Sequence, residues 1–96
     1  MDEQASKGMD DDVRLHTAAL GIRTRADFVA FVRSLSGNLR QKPEGWENAD
    51  LPSFLEALAA WTEDMDGYFK NRGEPIPDTP GWKTLGQMLL AARVYE

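Results

Sequence analysis

The 96-residue sequence predicts an all-α protein, a compact three- to four-helix bundle behind a disordered acidic N-terminal tail. Three observations predict it. Apolar residues recur at spacings of three and four in three separate segments, which places them on one face of a helix. No run alternates β-branched or aromatic residues with polar ones, as a half-buried strand would. Helix-start signals stand where the periodic segments begin: Thr24 with Asp27, Asp50 with Pro52, and Thr79 with Pro80.

Residues 1–12 carry Asp2, Glu3, Asp10, Asp11 and Asp12 against Lys7, with too few apolar groups to offset the entropy of ordering them. They are expected to be a disordered tail, leaving residues 13–96 as one helical domain. Val13 to Leu20 reads as a short helix stopped by Gly21, although its apolar positions fit one face poorly. The clearest element runs from about Arg25 to Arg40. Thr24 and Asp27 form a capping-box pattern at its start, and Phe28, Phe31, Val32, Leu35 and Leu39 form its stripe. Pro43 and Gly45 turn the chain, and Trp46 in that connection is expected to dock on the bundle. Asp50 caps a second helix over about Leu51 to Met65, faced by Leu51, Phe54, Leu55, Leu58, Trp61, Thr62 and Met65. Five breakers between Asp66 and Pro80 (Gly67, Gly73, Pro75, Pro77, Pro80) predict a long connection. Thr79 and Pro80 then open a last helix with Trp82, Leu85, Met88, Leu89, Ala92 and Tyr95 toward the core. Leu90 and Val94 fall off that stripe, so this helix is either central to the domain or docks its far side on another chain, for example as a homodimer through the C-terminal helix.

Charge is unevenly distributed. The total of −5 divides into −4 over residues 1–12, +5 over 13–42 and −6 over 43–96. The basic third could pair with the acidic remainder inside the fold, or the two could present faces of opposite sign. Nucleic-acid binding through Arg23, Arg25, Arg33, Arg40 and Lys42 is disfavoured by the acidic remainder. No apolar run approaches a membrane span, and the acidic, polar start lacks the basic head and apolar stretch of a secretory signal. The expectation is a cytoplasmic protein without membrane contact.

Little catalytic chemistry is available. The absence of cysteine excludes disulfides, thiolate nucleophiles and Cys-ligated zinc, and the single histidine, His16, cannot build a multi-histidine metal site. Asp64, Asp66 and Gly67 match three positions of a calcium loop over Thr62–Glu74. Thr62 stands where the first acidic ligand belongs and Gly73 where a bidentate Glu is required. Neither phosphate-binding glycine pattern occurs. The reading is therefore a non-enzyme with no cofactor or metal.

The aromatic residues and the acidic connection remain as candidate features. Trp46, Trp61 and Trp82 supply buried area to a small core, but Trp46 beside Glu44 and Glu47 would also suit an interface. The candidate partner-binding set is Trp46, Glu47, Asp64, Asp66, Tyr68, Leu90 and Val94.

From Thr24 onward, over about three quarters of the chain, the sequence resembles an uncharacterised family of small bacterial all-helical domains. The resemblance rests on Asp27-Phe-Val-Ala-Phe-Val, Trp46-Glu-Asn, Leu51 with Phe54-Leu-Glu-Ala-Leu and Trp61, Pro80-Gly-Trp-Lys, and Ala91-Ala-Arg-Val-Tyr-Glu96. It implies a compact helical domain and carries over no catalytic residue. By analogy of size and charge, the expected function is a non-catalytic protein-interaction or accessory domain, possible as an immunity-type factor for an unknown protein partner. The alternative is a nucleic-acid-associated accessory protein using the basic helix over 25–40.

Overall fold

The chain folds into four helices: α1 spans Glu3–Leu20, α2 Arg25–Gln41, α3 Leu51–Asn71 and α4 Trp82–Ala92, with a 3-10 turn at Pro43–Gly45. The computed structural model describes the backbone from residue 3 and the side chains from residue 11, and no strand occurs among the described residues. For the tail expected over residues 1–12, residues 1 and 2 and the side chains of 3–10 therefore lie outside the described residues. Its last two residues do not belong to a tail. Asp11 and Asp12 sit in α1 and hold it to Lys42 (3.5 Å) and Arg93 (3.0 Å).

α2 starts as its sequence dictates. The Thr24 hydroxyl accepts the Asp27 N–H at 3.1 Å, and the Asp27 carboxylate accepts the Thr24 N–H at 3.3 Å, a complete capping box. At the start of α3 the Asp50 carboxylate accepts the Ser53 N–H at 3.0 Å, with Pro52 tolerated in the first turn.

α3 runs past its expected end at Met65 to Asn71, so much of the predicted connection is helix. Gly67 interrupts nothing, because a helical glycine costs only about 1 kcal/mol and the buried Phe69 with the half-buried Tyr68 continues the apolar face. The glycine that ends α3 is Gly73, at φ 68°. Its N–H donates to Lys70 O at 3.0 Å and the Glu74 N–H to Phe69 O at 2.9 Å, a Schellman closure. At the other end of the connection, α4 begins at Trp82 with Gly81 as its N-cap. Thr79 does not cap it, and Pro80 precedes its first turn. The Trp82 ring packs against Phe28, centroids 5.3 Å apart, and so anchors this start.

α4 is the centre of the bundle, packed by α1, α2 and α3, whereas α2 and α3 make no helix–helix contact with each other. Leu90 is 5% exposed, in one core cluster with Leu15, Ala19, Ile22, Phe31, Leu35 and Trp46. The expected outward face shared by Leu90 and Val94 does not form. α1 covers Leu90 with Leu15 and Ala19, while Val94, 44% exposed, lies beyond the end of the helix. Gly86 lets α4 approach this closely: a Cβ there would stand 2.4 Å from Ile22 Cδ1.

Candidate functional site

Because α4 separates α2 from α3, a groove opens between those two helices. Its α2 wall is Val32, Ser36 and Leu39, its α3 wall Leu51 and Phe54, and Leu89 of α4 lines it between them, enclosing about 320 Å³. Val32 is 37% exposed and Leu51 67%; Val29, one turn before Val32, and Leu55, one turn after Leu51, are exposed as well. Apolar side chains of this size on adjoining turns of two helices form a wet hydrophobic surface, which a monomer rarely keeps without a use. At one end the groove is closed by Trp46, whose ring stacks on Phe54 at 5.8 Å and whose Nε1–H donates to Asn38 Oδ1 at 2.6 Å.

The exposed charges of the two helices differ in sign. Arg25, Arg33 and Arg40 are exposed on α2, and Glu56, Glu63 and Asp66 on α3. Among the described residues none of these six takes part in an ion pair. The basic third therefore does not satisfy itself against the acidic half. The cations that do pair across the fold are Lys42 and Arg93, and their partners are Asp11 and Asp12 of α1.

Beside the groove, the Trp46-Glu-Asn segment clasps the end of the chain. The Asn48 N–H donates to Arg93 O at 2.9 Å, and its side-chain amide to Ala92 O at 3.0 Å and Tyr95 O at 2.9 Å. Arg93 is buried: its Nε donates to Leu90 O, and its guanidinium lies 5.8 Å from the centre of the Trp46 ring. The Tyr95 hydroxyl donates to Asp64 Oδ2 at 2.5 Å, and this bond to a carboxylate pushes the phenol above its usual 10.0. Glu47 faces Glu96; a hydrogen bond between the two carboxyls, and then their like charge, raises Glu47 above its ordinary 4.5.

The residues singled out from sequence are thus dispersed. Trp46 is core, with Glu47 exposed beside it; Asp64 holds Tyr95. Tyr68 is half-buried between Trp61 (5.3 Å) and Phe69 (5.1 Å), away from Trp46, and Asp66 is exposed on α3. Asp64, Asp66 and Gly67 lie within continuous α3, so the calcium-loop spacing has no loop to occupy, and among the described residues no cluster of three or more metal-ligating side chains occurs. Val32 and Leu51, which line the groove, were missed as site residues. Their signal was an apolar stripe wider than a single packed seam needs, as in Phe28-Val-Ala-Phe-Val.

Comparison with curated proteins gives no match, and comparison with solved structures gives none. Residues 24–96 match a family profile, from the capping threonine of α2 through both walls of the groove to the clasped chain end, and leave α1 outside the matched span. The chain therefore belongs to DUF7660, a family of unknown function.

Proposed function

We propose that this chain is a non-catalytic protein-interaction domain, an accessory or immunity-type factor of the cytoplasm, that binds through the groove between α2 and α3. The observation that carries the reading is the pair of apolar walls, Val32 and Leu39 of α2 and Leu51 and Phe54 of α3, with Val32 and Leu51 left open to water. Hydrophobic anchors at the centre of a patch with a charged rim are the anatomy of a protein interface. No described helix is long and apolar enough to cross a membrane.

A photo-crosslinking side chain placed at Leu51 in the native host tests the reading. A discrete protein adduct, lost when Val32→Glu is added, is the expected result. A folded chain that gives no protein adduct at all would refute it.

A nucleic-acid role is the second reading, supported by Arg25, Arg33 and Arg40 being exposed and outside any ion pair among the described residues. Binding to duplex DNA would then weaken steeply with salt and disappear with Arg33→Glu, Arg40→Glu.

A further inference from the structure

We propose that the cavity between α1, α3 and α4 binds a small, uncharged, single-ring compound with an amide-type edge, a hydrogen-bond donor beside an acceptor, as in a ring carboxamide or a pyrimidine base. This site shares no lining residue with the groove between α2 and α3, and stands whether or not that groove binds a protein. Ala19 of α1, Trp61 of α3 and Gln87 and Leu90 of α4 supply its buried lining, and His16, Leu20 and Arg72 its exposed part. The cavity holds about 150 Å³. An engineered apolar cavity of about that size takes up benzene, so one ring fits.

Two buried polar groups decide what kind of ring. Gln87 is 8% exposed and Trp61 7%, yet among the described residues neither the Gln87 amide nor the Trp61 indole N–H has a hydrogen-bond partner. Trp46, the other buried indole, donates its Nε1–H to Asn38. No described side-chain nitrogen or oxygen is both fully enclosed and unpartnered. The amide and the indole N–H are therefore reached from outside the protein's own packing, through the cavity that both residues line. Polar groups this deep, with little water around them and no protein partner, are ones that a bound molecule completes.

Their chemistry defines the complement. The indole N–H only donates, whereas the amide both donates and accepts. A ring carbonyl beside an N–H answers all three positions: the carbonyl accepts, and the N–H donates to Gln87 Oε1. A carboxylate has no proton for that oxygen. The cations at the mouth are also taken, Arg72 lying 3.3 Å from Glu74 and His16 3.6 Å from Asp12, so little positive charge is left over for an anion. The remaining wall suits a flat ring: Leu90 and Ala91 are aliphatic, and the Trp61 and Tyr68 rings stand 5.3 Å apart at 60°.

The test is titration of the full chain with four probes, nicotinamide, uracil, benzoate and benzene, followed by calorimetry and by the NMR signals of the tryptophan indole N–H groups. The expected result is one-to-one binding of nicotinamide or uracil that moves the Trp61 indole signal and leaves that of Trp46 in place. Whichever of the two binds tighter identifies the carboxamide or the base as the source of the edge. Its affinity should exceed that of benzene and of benzoate at least about tenfold, the worth of a well-made hydrogen bond. Gln87→Leu should remove that advantage while benzene still binds; if this variant fails to fold by circular dichroism, Gln87→Met, closer in length, gives the same reading. The proposal is overturned if no probe binds at millimolar concentration, if benzoate or benzene binds as well as the amide-bearing rings, or if the Gln87 variants keep the wild-type affinity.

Discussion

Asn48 and Arg93 are joined through their backbones, the Asn48 N–H donating to the Arg93 carbonyl at 2.9 Å. Around that bond the Asn48 amide caps the carbonyls of Ala92 and Tyr95. Three carbonyls at the end of α4, which no longer have helical N–H partners, are therefore satisfied by one residue of the α2–α3 connection. Two motifs far apart in sequence, Trp46-Glu-Asn and Ala91-Ala-Arg-Val-Tyr, are the two halves of one contact.

Asn48→Ala leaves two of those carbonyls without their donor. A loss of about 1–3 kcal/mol is expected, which for a domain of this size lowers Tm by about 4–8 °C per kcal/mol. Asn48→Asp, which sets a carboxylate against carbonyls, should be at least as damaging. Thermal melts of the two variants check this; wild-type melting in both would show that the clasp does not hold the chain end.

Arg93 is buried under Trp46 and reaches Asp12 at 3.0 Å, but Asp12 itself is open to water. The ion pair is thus half screened, and Asp12→Ala should cost at most about 1 kcal/mol, less as salt rises. Arg93→Ala removes packing as well and should cost about 2–4 kcal/mol, whereas Arg93→Met keeps much of the volume and should cost less. Urea unfolding of the three variants orders them. Equal losses for Arg93→Met and Arg93→Ala would mean that the charge outweighs the stem.

Two helical glycines predict opposite signs. Around Gly67 a Cβ would meet nothing within 4 Å, so Gly67→Ala should stabilise the protein by about 0.5–1 kcal/mol through helix propensity. At Gly86 the same methyl would press on the Cδ1 end of Ile22, itself buried, while meeting Phe31 at ordinary contact distance. Gly86→Ala should therefore destabilise by about 1–3 kcal/mol despite the same propensity gain. Melting temperatures moving in the same direction for both would contradict the close packing of α4 on Ile22.

Acid titration separates two carboxyls by sign. The Ser53 N–H holds the Asp50 carboxyl below its usual 3.8. Its contribution is complete above that value and is lost as pH falls through the lower, folded value. Glu47 is the reverse case. Raised above 4.5 by Glu96, it contributes stability that is present below 4.5 and lost as pH rises through the folded value. Glu47→Gln should therefore gain on the wild type as pH rises from the acid range toward neutrality, and Asp50→Asn should lose the fall in stability at the acid end. Melts across the acid range decide both; curves parallel to wild type would remove these groups from the linkage.

Much of the fold was legible locally. Thr24 with Asp27 and Asp50 with Ser53 cap helices through bonds made within three residues, so the sequence contains both partners of each. Gly67 and Gly73 show where local reasoning stops. The two are the same residue type, yet Gly73 ends α3 because its positive φ lets its own N–H reach the Lys70 carbonyl and the Glu74 N–H that of Phe69, whereas Gly67 is carried through by the burial of Phe69. The sequence also listed Leu51 and Leu55 on a helix face without showing that the facing helix is missing.

By itself the sequence determined the all-helical class, the capped starts of α2 and α3, the absence of thiol chemistry and the opposed charges of its two parts. These depend on residue types and on spacings shorter than a turn or two. Tertiary structure alone decided that α4 is central, that Leu90 is core and Val32 wet, and that Asp12, Asn48 and Arg93 meet. Each depends on which helices lie beside which, and periodicity specifies that a face must be covered without specifying what covers it.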